Sequence, residues 1–215
     1  MGEPATAETA SDAHGESEER VVRYGKEHKE ATRRRIIETA GRRFKKDGID
    51  GSGISTLMGD AGLTNGAFYS HFVSKDDLVA TVVADQLQTQ SAHVCAQAPG
   101  RAGLEQIVRE YLSVQHRDNP EGGCPSAALL DEIGRCTDAT KQAYTESVLV
   151  LIDDIVARLP EGDPQSARVE ALGLLAMMAG TLQLSRALSD RRLSDELLER
   201  GTRNALALLG TDQSS

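Results

Sequence analysis

The chain has 215 residues, 39% of them hydrophobic, enough for one large domain or two small ones around a real core. Tryptophan is absent and aromatics make up 3%, so the core must be aliphatic, which favours helices over a sandwich or barrel. The net charge of −9 excludes a chain that binds nucleic acid over its whole surface, and the longest uncharged run, 171–185, is shorter than the ~20 residues of a membrane span.

Residues 1–22 hold one Arg against six acids and little that can pack, so they read as a disordered acidic tail. They have no basic start and no apolar stretch, so no signal peptide is expected and a cytoplasmic protein follows. A first helix should run from about Lys26 to Lys46, with Ile36, Ile37, Ala40 and Phe44 on one face and Gly48 as its stop. The second begins after Ser52, the expected N-cap. The third begins after Thr64, a good cap two residues past Gly62. The stretch 54–75, ISTLMGDAGLTNGAFYSHFVSK, is thus two short amphipathic helices on a tight glycine turn, the outline of a helix-turn-helix. Leu57, Ala61, Leu63, Phe68 and Phe72 would pin the pair together. Thr64, Asn65, Tyr69, Ser70 and His71 would stay at the surface. Residues 23–80 carry eleven Lys and Arg against eight acids; residues 81–215 carry twelve against nineteen. The only basic section is the one holding this motif.

Ser74 and Asp77 form a capping box for a fourth helix, whose apolar face is Leu78, Val79, Val82, Val83 and Leu87. Pro99 and Gly100 break the pattern. A single helix is expected from about Gly103 to Arg117, then a loop over 118–123. Pro125 starts a helix to Arg135. Thr137 caps a long one to about Leu159, with Tyr144, Val148, Leu151, Ile152 and Ile155 at helical spacing. Two helices near 165–188 and 194–209 close the chain. No alternating strand pattern occurs, so the fold class is all-α. Leu172, Leu174, Leu175, Met177, Met178, Leu182 and Leu184 surround the first of the closing helices almost completely, which means burial on several sides. A central core helix or a dimer contact would each provide it. The small Gly173, Ala176, Ala179 and Gly180 would admit a partner helix, and the dimer is favoured because one face would otherwise expose a large apolar patch.

The helix-turn-helix, with the flanking ATRRRIIETAGRRFKKDGIDG and KDDLVATVVADQL, resembles the DNA-binding domain of the tetracycline-repressor (TetR/AcrR) family over roughly residues 26–85. The resemblance implies a helix-turn-helix DNA-binding domain at 23–75, a linker helix at 75–97, and a helical ligand-binding and dimerisation domain at 98–210. It implies a homodimer joined through its last two long helices. Such a dimer binds a pseudo-palindromic double-stranded DNA operator as a repressor and is released by a small, mostly apolar effector. Carried onto this chain, Thr64 would hold phosphate, Asn65 would read a base edge or bind phosphate, and Gly66 would let the backbone lie close to the duplex. Tyr69 would pack on a thymine methyl or bond a phosphate. Ser70, His71 and Lys75 would face the DNA backbone, with Ser55 and Thr56 as phosphate binders. The family often has Lys or Arg where this chain has Asn65, which shifts weight to Arg33, Arg34, Arg35 and Lys75. Tyr111, Tyr144, Met177 and Met178 are the expected pocket residues, on the helices that would surround a cavity.

Cys124 stands at an expected helix start, where a thiolate is favoured, so a redox or electrophile sensor is one reading and a buried packing cysteine the other. A partly exposed thiol would mark the sensor. Cys95 and Cys136 share no CxxC spacing with it, and an odd count without a secretory signal argues for reduced thiols. No metal-ligand spacing, cofactor motif or catalytic motif is found, so no metal, no cofactor and no enzyme are expected. The alternative to a regulator is a helical small-molecule binder or enzyme whose helix-turn-helix only packs. The basic, polar surface over 64–75 argues against it, since an enzyme has no need to expose one.

Overall fold

The computed structural model describes residues 10–160 and 162–210, with side chains from Gly25 onward. Ten α-helices and one 3-10 turn occur among the described residues, which contain no strand. They are α1 (Ala10–Asp47), α2 (Ile54–Asp60), α3 (Asn65–Phe68), α4 (Lys75–Ala96), α5 (Gly100–Tyr111), α6 (Val114–Asp118), α7 (Pro125–Arg135), α8 (Asp138–Val156), α9 (Pro164–Ala187) and α10 (Arg191–Leu208). The turn Pro120–Gly122 joins α6 to α7.

α1 departs most from expectation. It begins at Ala10, not Lys26, so residues 10–22 of the expected tail have helical backbone, while 1–9 of it lie outside the described residues. The physical reason is propensity: 16–23 is mostly Glu, Arg and Val with no Pro, and elongating a helix already nucleated by packing costs little. The packed half of α1 presents Ile36, Ile37, Ala40 and Phe44, all buried. These meet Leu57 and Met58 of α2, then Phe68, Phe72, Leu78, Val79 and Val82. A small head with an aromatic centre results, continuous with the larger helical body through α4.

Ser74 caps α4 as expected: its hydroxyl accepts from the Asp77 N–H at 3.1 Å, and the Asp77 carboxylate accepts from the Val73 N–H at 3.0 Å. Ser52 does not cap α2. Its hydroxyl donates instead to the Gly48 carbonyl at 2.8 Å, closing the end of α1, and Gly53 takes the cap position. The single helix expected over 103–117 is two. After Tyr111 the chain turns at Leu112, and Ser113 starts α6 by accepting from the His116 N–H at 3.1 Å. The final helix starts at Arg191, earlier than Ser194, because the Asp190 carboxylate caps it at the N–H groups of Arg192 and Leu193.

In the body, α4 lies along α8, and α9 pairs with α10. Arg117, buried on α6, ties this layer together. Its guanidinium donates to Asp118 at 2.8 Å, to the Ser194 hydroxyl at 2.8 Å and to Asp195 at 2.5 Å, the latter two on α10. Asp118 also receives Arg191 at 2.7 Å, and these two guanidiniums hold its carboxyl far below the usual carboxylate range.

Candidate nucleic-acid interface and cavity

The turn between α2 and α3 is set by Gly62, whose φ of 66° lies in the left-handed region. Its N–H donates to the Gly59 carbonyl at 2.9 Å, and the Leu63 N–H to the Met58 carbonyl at 2.8 Å. This is a Schellman ending, with Leu63 folded back toward the core beside Met58. The chain then enters α3 at Thr64. The Thr64 hydroxyl makes no capping bond, and α3 itself spans only Asn65–Phe68. Tyr69, Ser70 and His71 continue it as turns.

This geometry puts one set of candidates on a common surface. Ser55, Thr56, Thr64, Asn65, Gly66, Tyr69 and Ser70 are all exposed, with Tyr69 at 68%. Phe68 and Phe72 turn inward and stack with ring centres 5.7 Å apart. Val73, an apolar side chain 88% exposed beside this surface, was not singled out from the sequence. Its only sequence signal is an apolar residue just before a capping serine.

Two candidates sit differently. Lys75 is half-buried, and its ammonium donates to the Ile49 carbonyl at 2.6 Å, bracing the loop between α1 and α2. His71 is half-buried with its Nδ1 enclosed and without a hydrogen-bond partner among the described residues. Burial lowers its pKa, helped by the charges of Lys29 and Arg33 on α1. The Arg33–Arg35 run also divides. Arg33 lies over the Phe72 ring at 4.7 Å. Arg34 is engaged by Glu38 at 3.0 Å and Asp85 at 2.8 Å.

The body holds a cavity of about 830 Å³ between α4, α5, the α6–α7 connection, α8 and α9. Its floor is Ile107, Tyr111, Cys124, Leu151, Ile155 and Met178, every one buried. Its rim is polar, with Gln90, His93, Glu105, Gln106 and Glu110. Of the four residues expected to line a pocket, Tyr111 and Met178 do. Tyr144 and Met177 do not: Tyr144 bonds Ser126 through its hydroxyl at 3.0 Å, and Met177 packs on the core from outside the cavity. Helical periodicity marks which residues are apolar but not on which side of a helix a void opens.

Cys124 is buried at 1% exposure, so the partly exposed thiol that a sensor requires is not there. Its N–H donates to His116 Nε2 at 3.1 Å, while His116 Nδ1 faces the Tyr111 carbonyl at 2.7 Å. A carbonyl only accepts, so the proton sits on Nδ1 and the imidazole is held neutral. Burial lowers the His116 pKa, against the pull of that carbonyl. The Tyr111 hydroxyl is buried with no hydrogen-bond partner among the described residues.

Lys45 joins head and cavity. It is 8% exposed at the end of α1, donating to Gln86 of α4 at 2.5 Å and to the Gly123 carbonyl in the cavity wall at 2.8 Å. Burial pushes its pKa down to about 8. Nearby, the Glu132 carboxylate of α7 accepts from the Ile49 N–H at 2.7 Å. Within KKDG the sequence offers no sign that the first lysine is buried.

The model of the family described as bacterial regulatory proteins, tetR family, matches residues 36–82, the packed half of α1 through the first two turns of α4. A probable HTH-type transcriptional regulator, ArpR, from Pseudomonas putida is 33% identical over 87 residues, 40% of this chain and 41% of that protein. The HTH-type transcriptional regulator TtgR, from a strain of the same species, is 38% identical over 74 residues, 34% of this chain and 35% of TtgR. The matched part therefore spans well under half the length of these relatives. Among solved structures, the reduced form of Escherichia coli NemR superposes with a TM-score of 0.69 at 18% identity, covering 81% of this chain and 95% of NemR. A TetR-family transcriptional regulator from Cytophaga hutchinsonii gives 0.69 at 21% identity, covering 87% and 98%. These two likenesses establish the fold over head and body together.

Proposed function

We propose that this chain, a member of the tetR family of bacterial regulatory proteins through its residues 36–82, is a cytoplasmic DNA-binding repressor that works as a homodimer and is released by a small effector. The observation that carries the reading is the exposed polar surface from Thr64 to Ser70 on a head whose α1 is pinned by Lys45 to a cavity wall. Asn65, Thr64 and Tyr69 read or hold the major groove. Ser55, Thr56 and Ser70 hold phosphate, and Gly66 allows close approach. His71 and Lys75 act from behind, bracing the motif, and Lys75 adds charge beside the backbone.

Support for the dimer comes from α9 and α10. Val169, Leu172, Leu184 and Leu193 are exposed at 41–64%, an apolar face that water would not favour. Gly173 and Gly180 on the same helix have nothing within 4 Å of where a Cβ would stand, so packing within the chain does not require their smallness. A second copy would use it. Two heads so joined read half-sites roughly one helical turn (~34–36 Å) apart or slightly more. A cavity of about 830 Å³ with an apolar floor fits a small, mostly apolar or aromatic effector. Release follows if that molecule binds more tightly to a head spacing that does not match the operator.

A gel-shift assay with the DNA upstream of the chain's own gene tests this. Retardation abolished by Asn65→Ala together with Tyr69→Ala is expected. No retardation of any upstream fragment, with the protein folded and dimeric, would overturn the reading.

A further inference from the structure

Two cations stand behind the wall of the cavity, outside its lining, and neither makes an ion pair among the described residues. Lys45 from α1 bonds the Gly123 carbonyl and Arg186 from α9 the His116 carbonyl, both on residues of the cavity wall. Lys45 donates to the Gln86 amide oxygen and the Gly123 carbonyl. Arg186 donates to three carbonyls, those of His116 at 2.7 Å, Ala127 at 2.9 Å and Arg117 at 3.1 Å. Every acceptor is neutral. Lys45 is buried and Arg186 half-buried, and cations so desolvated are ordinarily paired with an anion, since neutral dipoles compensate only in part. Glu121 acts on Lys45 from a distance without bonding it, and the rim carboxylates are engaged elsewhere. Glu121 lies beside Lys46, and at the rim Glu105 binds Arg101 at 2.8 Å and Glu110 binds His93 at 2.9 Å.

A second observation points the same way. The Tyr111 hydroxyl, in the same wall, is a buried donor with no oxygen or nitrogen acceptor among the described residues, and only the Cys124 thiol, a weak acceptor, acts on it as a hydrogen-bonding side chain. Cys124 and Arg186 lie close enough to act on it. His116 cannot take its proton, because the one lone pair of its ring is already used by the Cys124 N–H. The apolar side of the floor, Ile107, Leu151, Ile155, Leu175 and Met178, has no such polar demand.

We infer that the effector is a weak organic acid with an apolar body, whose anionic oxygen accepts from the Tyr111 hydroxyl, in the field of Lys45 and Arg186 behind that wall, while its body lies against Ile107, Leu151, Ile155 and Met178. This rests on the effector reading above and narrows it. A buried carboxylate is costly alone, but a donor in the wall and two cations behind it offset part of what it loses from water.

The test is calorimetric titration of the full chain with a panel of aryl and alkyl carboxylic acids, each beside its own primary amide. Far-UV circular dichroism controls for folding. At least one acid should bind about tenfold more tightly than its amide. Tyr111→Phe, which keeps the ring, and Lys45→Met should each shrink that advantage. Met178→Trp, which fills the floor, should abolish binding. Amides that bind as tightly as their acids, or an acid preference unchanged in both variants, would overturn the acid assignment. If Met178→Trp then still blocked the amides, the effector cavity would stand without it. No binding by any acid or amide would overturn both.

Discussion

At the scale of single residues, three side chains have testable consequences. Asn65 is exposed at the start of α3 and makes no bond within the described residues that would compete with DNA. Asn65→Ala should cost on the order of 1–3 kcal/mol on the operator if the amide reads a base. Equal losses on operator and random DNA would assign it to phosphate. Lys75 has a structural bond already, to Ile49 at 2.6 Å. Lys75→Met should therefore lower unfolding free energy by about 1 kcal/mol as well as weaken DNA binding. Unchanged stability with an evenly weaker, less salt-dependent affinity would make it a phosphate lysine alone. Lys45 gives a pH signature. Its folded pKa, about 8, lies below the ordinary 10.5, so between these values the unfolded chain holds more proton than the folded one. Stability then rises with pH across that window, and the burial cost is felt in full below it. Denaturation of wild type and Lys45→Met from pH 8 to 10 should show this as a sloping difference. A flat difference would mean that the ammonium is as well solvated when folded.

At the scale of elements, the helix-turn-helix depends on one backbone conformation. A Cβ at Gly62 would meet nothing within 4 Å, yet φ is 66°. Gly62→Ala should thus cost about 1 kcal/mol from backbone strain without any clash, and Gly62→Asn should cost less, because Asn tolerates this region. Urea unfolding of both variants decides it; equal stability of Ala and Gly would show that the turn relaxes to negative φ. The join between α6 and α10 is held otherwise, by charge. Arg117 is nearly excluded from water but reaches Asp118, Asp195 and Ser194. Removing one member of such a cluster leaves a buried charge without its partner.

At the scale of the whole molecule, the question is what covers α9 and α10. Leu184 is 53% exposed, so Leu184→Glu should leave the folding of one chain nearly unaffected. It should split the proposed dimer and lower operator affinity, since two heads held together bind with higher effective concentration than two apart. Light scattering at micromolar concentration measures the first and gel shift the second. A dimer that survives the substitution would place the partner surface elsewhere.

The all-helical class, the apolar faces of α1, α4 and α8, the Ser74 capping box and the helix-turn-helix outline were all readable from the chain. Each is a local matter of spacing and capping, which repeats of three and four residues make visible. The same local rules failed where another partner was on offer. Ser52 could cap α2 but closes α1 instead, and Ser113, inside an apolar pattern, starts a new helix. Tertiary structure alone decided the cavity. Tyr111 and Tyr144 both fall on the apolar face of an expected helix, yet one lines it and the other does not. Tertiary structure alone also brought Lys45, His116, Cys124 and Arg186 to one wall, from positions up to 141 residues apart. A sequence pattern encodes which side of a helix avoids water. Which buried groups then face one another, and what charge they leave unanswered, follows only from how the helices cross.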